Sequence, residues 1–139
     1  MGFAILSGVL DWRADALNSS GDNSKAAELL PSSFIATVNR DQSAKALTQK
    51  LQDAGHTDVE VLLRGNVEAA RRGNYVILGS KPQIVADILA EDGMKEALKD
   101  KVLVSLCAGL TVDTIKKQVD PSTRVVRAMP NTPCRVRTC

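Results

Sequence analysis

Five short apolar runs, separated by segments with helical periodicity, constrain this chain more than any other feature. Phe34-Ile35-Ala36-Thr37-Val38 is the first, and Val59 to Leu63, Tyr75 to Gly79, Val102 to Leu106 and Arg124 to Met129 follow. A strand without a polar face has no solvated side, so it belongs in a sheet covered by helices. Between the runs the period changes. Ala44, Leu47, Leu51 and Ala54 share one face of a helix that Asp41 is expected to cap and Gly55 to stop. Gly65-Asn66 turns into a short helix around Val67 to Arg72, and Pro82 suits the first position of a helix carrying Ile84, Val85, Ile88 and Leu89. Met94, Ala97 and Leu98 belong to a further short helix, and Thr111 caps one containing Val112, Ile115 and Val119. Strand and helix in alternation predict an α/β fold with a doubly wound parallel sheet.

Composition narrows the functional classes. With 139 residues, 44% of them hydrophobic and only 3% aromatic, the chain has the length and the small aliphatic content of one such domain. A net charge of +2 without a run of Lys and Arg gives no track for nucleic acid. Cys107, Cys134 and Cys139 share no metal-ligand spacing and leave an odd thiol, so neither a metal site nor a disulfide framework is expected. That usage suits a reducing, cytoplasmic setting. No stretch approaches the roughly 18 apolar residues of a membrane span. The apolar segment at residues 2–17, with Phe3, Ile5, Leu6, Val9, Leu10 and Trp12, has no basic leader and reads as a helix buried on more than one side. The turn formers of residues 18–33 read as a long surface loop.

Ligands of open α/β sheets settle at the carboxyl ends of the strands, which directs attention to the residue after each run. Asn39-Arg40 follows the first. A neutral residue beside an Arg suits a 2′-phosphate, whereas an acidic residue would suit a free ribose 2′-hydroxyl. NADPH is therefore favoured, with NADH as the alternative. An ordinary surface Arg accounts for Arg40 about as well. Gly79-Ser80-Lys81-Pro82-Gln83 and Ser105-Leu106-Cys107-Ala108-Gly109 are small-residue turns that let a cofactor approach backbone at a helix start. Cys107 has no His nearby in sequence and reads as a packing residue rather than a nucleophile. Met129-Pro130-Asn131-Thr132-Pro133 makes a stiff polar turn at the same edge. His56, Asp87, Glu91 and Asp113 are expected on solvated positions, and no catalytic acid or base is assigned.

Val-Val-Arg-Ala-Met-Pro-Asn-Thr-Pro, preceded at these intervals by Ser-Leu-Cys-Ala-Gly-Leu-Thr and Gly-Ser-Lys-Pro-Gln, resembles pyrroline-5-carboxylate reductase through its cofactor domain. The resemblance runs from Met1 to about Pro133 and implies a Rossmann-like fold. It also implies reduction of 1-pyrroline-5-carboxylate to L-proline by hydride from NADPH, a step of proline biosynthesis. On that resemblance Met1 ends the cofactor's glycine-rich turn, and Asn39 and Arg40 bind the adenosine phosphate end. Asn66 meets the adenine-side ribose region, Ser80, Lys81 and Pro82 the central part, and Leu106, Cys107 and Ala108 the nicotinamide pocket. Met129, Pro130, Asn131 and Thr132 face the substrate.

The chain departs from the family pattern at both ends. Members open with a strand and a G-x-G-x-x-G-like turn, of which Met1-Gly2 matches the final positions, so the first strand of the sheet is expected to be missing. Residues 1–133 are read as the dinucleotide-binding domain and residues 134–139 as a divergent tail, with the helical domain that dimerises the family absent. Little reductase activity is then expected. A noncatalytic NADP-binding or regulatory module derived from the reductase is one alternative. A β-hydroxyacid dehydrogenase or an F420-dependent NADP reductase is another, against which the Met-Pro-Asn-Thr-Pro turn argues. In the strand order 3-2-1-4-5 the missing strand is central and exposes two inner edges. Unpaired buried backbone groups cost on the order of 1 to 3 kcal/mol each, against a whole-domain stability of about 5 to 15 kcal/mol. The 139-residue polypeptide is expected to melt early, and a cooperative circular dichroism transition above about 45 °C would contradict this.

Overall fold

A computed structural model of the chain describes residues 2–18 and 31–129. In chain order these form α1 (Gly2–Asn18), β1 (Phe34–Val38), α2 (Asp41–Asp53), β2 (Val59–Leu63), α3 (Asn66–Arg72) and β3 (Tyr75–Leu78). Then come α4 (Pro82–Leu89), α5 (Met94–Ala97), β4 (Val102–Ser105), α6 (Val112–Lys116) and β5 (Arg124–Arg127). All five apolar runs are strands, and every pairing is parallel. β1 pairs with β2, and separately β3, β4 and β5 form a three-stranded sheet in that order. Among the described residues β1 pairs only with β2, and β3 only with β4. The chain divides into two compact units, residues 1–64 and 65–139.

In the first unit β1 and β2 run in register from Phe34 opposite Val59 to Val38 opposite Leu63. α2 begins one residue earlier than a cap at Asp41 would place it. Arg40, extended at φ −127°, is the N-cap and supplies no side-chain bond, while Asp41 lies inside the first turn, where a carboxylate still favours the helix dipole. Gly55 stops the helix as expected. At φ 77° it lets its own N–H bond Gln52 O (2.9 Å) and the His56 N–H bond Leu51 O (2.8 Å), closing the last orphan carbonyls. Arg13 of α1 pairs with Asp58 and lies over the Phe34 ring, 5.4 Å from its centre. The expectation of α1 buried on several sides is corrected here: Leu10 is buried, but Trp12 is 57% exposed. His56 is half-buried rather than solvated, its Nε2 lying 3.4 Å from Asp11 Oδ1 without a hydrogen bond.

The second unit holds a continuous apolar core. Leu78 and Leu103, with Val76 and Val125 beside them, present one face of the sheet to Ala70, Val85, Leu89, Met94, Ala97, Leu98, Ile115 and Val119. Truncating a fully buried leucine such as Leu98 or Leu103 to alanine removes about 2 to 5 kcal/mol. Pro82 stands at the start of α4, where its missing N–H costs nothing, and Thr111 Oγ1 accepts the Thr114 N–H (3.2 Å) at the start of α6. Lys101 donates from Nζ to the carbonyls of Ala70 and Arg71 (2.6 Å each), closing the end of α3, and partial burial lowers its pKa.

A polar turn sets the entry of β5. Ser122 donates to Asp120 Oδ1 from its hydroxyl (2.6 Å) and its N–H (2.9 Å), while Ser122 Oγ accepts the N–H of Asp100, and Thr123 Oγ1 donates to Leu98 O. The Ser122 hydroxyl, then its N–H, hold the Asp120 carboxyl below the usual carboxylate range, and Lys99 and Lys95 lower it further. A lowered native pKa means that the turn's stabilisation is complete above the unfolded value of about 3.9 and is lost as pH falls through the native one. Ser122→Ala is expected to return the Asp120 titration toward the ordinary range in an NMR pH series. An unmoved Asp120 midpoint would refute the assignment.

Candidate nucleotide-binding site

Parallel strands in register bring their carboxyl ends to one rim, and in each unit that rim carries the residues singled out above. In the first unit β1 exits through Asn39 and Arg40, both exposed, directly into α2. The first bond of that helix runs from Ala44 N to Arg40 O (3.0 Å), so the preceding amides have no helical acceptor and no capping side chain. β2 exits beside them through Arg64. Its N–H bonds Val38 O (2.8 Å), its Nε donates to Asn39 O (3.4 Å), and its φ is 54°. Arg64 was not singled out from sequence. A residue after a strand gives no signal until the register shows which neighbouring turn it meets.

In the second unit β3 and β4 leave the sheet level with one another, because Leu106 N bonds Leu78 O (3.0 Å), and Ala128 N bonds Ser105 O (2.9 Å) on the other side. Ser80, Lys81 and Pro82 therefore share a rim with Leu106, Cys107 and Ala108, and with Met129, which is 68% exposed. Lys81 is the N-cap of α4 and gives it no side-chain bond. Cys107 is buried, with its thiol donating to Ser80 O (3.2 Å) and Leu78 O (3.5 Å), so it ties the two turns together as a packing residue. Met1, Pro130, Asn131 and Thr132 lie outside the described residues.

Asn66 opens α3, and its side-chain NH2 donates to Glu91 Oε1 at 2.7 Å. This corrects the expectation for Glu91, which is half-buried and engaged. Asp87 and Asp113 are exposed, as expected. A bond between residues 25 positions apart is invisible to periodicity, which is why Glu91 was missed. A depression lined by Thr48, Leu51, Gln52, His56, Thr57, Val59 and Val61 lies toward the amino end of β2 rather than at the rim. Rim chemistry carries more weight here than concavity, because a nucleotide needs donors and backbone access.

The rim of the second unit offers polar groups to a ligand. The Ser80 hydroxyl oxygen is buried with no hydrogen-bond partner among the described residues, a donor and acceptor available to a ligand. α4 starts with an uncapped N-terminus at the same turn, a favourable place for phosphate oxygens.

Residues 1–109 match the model of a family described as NADP oxidoreductase, coenzyme F420-dependent. Pyrroline-5-carboxylate reductase of Schizosaccharomyces pombe is 35% identical over 137 residues, covering 99% of this chain and 46% of that protein. The reductase of Lophium arboricola is 38% identical over 150 residues, covering 99% and 47%. The chain belongs to the pyrroline-5-carboxylate reductase family. It carries the N-terminal NADP-binding domain of that family and spans less than half the length of these relatives. The match to the NADP oxidoreductase model ends before Met129, short of the turn on which the reductase and F420-dependent readings differ.

Solved reductase structures share the fold. One from Coxiella burnetii superposes with a TM-score of 0.67 at 24% identity, covering 97% of this chain and 43% of that one. A Plasmodium falciparum pyrroline carboxylate reductase with NADP bound gives 0.52 at 24% identity, covering 74% and 44%. The Rossmann-like α/β architecture of the pyrroline-5-carboxylate reductase domain is thereby established. Removing an orphaned hydroxyl sacrifices no bond, so Ser80→Ala is expected to leave stability unchanged or raise it by up to about 1 kcal/mol. A larger loss in a urea melt would reveal a partner.

Proposed function

We propose that this chain binds NADPH for the reduction of 1-pyrroline-5-carboxylate to L-proline, as the cofactor domain of a reductase. The observation that carries the proposal is the 35 to 38% identity to pyrroline-5-carboxylate reductases along 99% of the chain. Residues 1–133 form the dinucleotide-binding domain in this reading, and residues 134–139 lie outside it. Arg40 and Asn39 receive the 2′-phosphate end, Asn66 the adenine-side ribose, and Ser80, Lys81 and Pro82 the central part of the cofactor. Leu106, Cys107 and Ala108 stand at the nicotinamide, while Met129 to Thr132 meet the cyclic imine. The support for NADPH over NADH is a rim with cationic Arg40 and no acidic residue at position 39 or 40.

When bound, the reduced nicotinamide supplies the hydride that adds to the imine carbon, while the imine nitrogen takes a proton. The chain's own residues bind and orient. Glu91 holds the Asn66 amide in one orientation, and the Cys107 thiol holds the β3 and β4 exits together. None of these groups has to act as a strong acid or base. A cytoplasmic setting and homo-oligomeric assembly belong to the same proposal, the latter through the family's helical domain.

A second reading is that the 139 residues bind the cofactor without turnover. Titration of the purified chain with NADPH, followed by addition of 1-pyrroline-5-carboxylate, separates the two. Saturable binding with little NADPH oxidation is the expected result, and Arg40→Glu should weaken NADPH by about tenfold or more while sparing NADH. Absence of binding to either nucleotide would overturn the proposal, and imine-dependent turnover would overturn the noncatalytic reading.

A further inference from the structure

Arg64 lies at the same rim as Asn39 and Arg40 but has no role in the cofactor assignment above. Two bonds fix its place. Its N–H is bound to Val38 O (2.8 Å), and its Nε reaches Asn39 O (3.4 Å), so one edge of the guanidinium is tethered to the turn between β1 and α2 while the residue stays exposed. Only Nε is engaged, and neither Arg64 nor Arg40 forms an ion pair among the described residues. The backbone at φ 54° is one that glycine adopts more readily than any residue with a Cβ. A long cationic side chain therefore occupies a position where the turn alone would favour Gly.

We propose that Arg64 is a second specificity-determining cation for the 2′-phosphate of the nucleotide, acting beside Arg40 across the ends of β1 and β2. The proposal rests on the NADPH reading. A 2′-phosphate carries up to two negative charges and three acceptor oxygens, more than one guanidinium can satisfy, and a planar fork meets two of those oxygens at once. A ribose 2′-hydroxyl offers neither charge. Arg64 thus discriminates between the two nucleotides rather than adding to affinity for both.

Adenosine 2′,5′-bisphosphate and 5′-AMP differ only in that phosphate, and calorimetric titration of each into the 139-residue chain reads Arg64 directly. Wild type is expected to prefer the bisphosphate. Arg64→Gly, which removes the side chain while easing the backbone, should cost about tenfold or more in bisphosphate affinity and leave 5′-AMP within about twofold. Arg64→Lys, which retains charge without the fork, should fall between them, and it decides the matter if circular dichroism shows the glycine variant unfolded. Unchanged bisphosphate affinity in the Arg64 variants, alongside a loss in Arg40→Gln, would overturn the role of Arg64 and leave the NADPH reading standing. Equal losses for both probes would also overturn it, since Arg64 would then merely shape the turn. Wild type binding the two probes equally would overturn both.

Discussion

Parallel pairing is the constraint from which the rest follows. Two parallel neighbours cannot be joined by a tight hairpin, so each strand must hand the chain to a crossover that returns it to the starting edge. Every strand exit in a sheet then lies on one rim, whatever the intervening residues are. Asn39 and Arg64 are 25 positions apart and meet because Val38 and Leu63 are register partners. Ser80 and Cys107 meet for the same reason, through Leu78 and Ser105.

Each unit's rim is held by polar bonds rather than by depth. Cys107 uses a weak sulfur donor on two carbonyls, Asn66 leans on a carboxylate from the segment after α4, and Arg64 grips a backbone oxygen. Such a rim can orient a ligand that brings its own reactivity, which is the division of labour in cofactor chemistry.

What was legible in the sequence was local. Pro82, Gly55 and Thr111 announce helix boundaries because each solves a steric or hydrogen-bonding problem within a few residues, and the apolar runs announce strands because their burial is two-sided. The cap of α2 was misplaced by one residue: Asp41 is a common cap type, yet the chain turns at Arg40 and uses the Asp41 charge without its hydrogen bond. Trp12 read as buried from its chemistry and is exposed, since periodicity marks an apolar stripe without saying how much of it is covered. Glu91 and Arg64 were beyond reach for a different reason. Their partners are set by register and crossover length, quantities that a single sequence encodes only through the finished fold.

The outer face of the three-stranded sheet has a consequence for the polypeptide in solution. Tyr75 and Ile77 of β3 and Val126 of β5 are exposed on that face, and β3 pairs with no strand but β4 among the described residues. Open backbone donors beside uncovered apolar side chains form a template to which another extended segment can add. Concentration, as much as temperature, then limits how long such molecules remain dispersed. A lysine at position 77 would act as a gatekeeper at little expense to the core, because that side chain faces away from Leu103 and its neighbours.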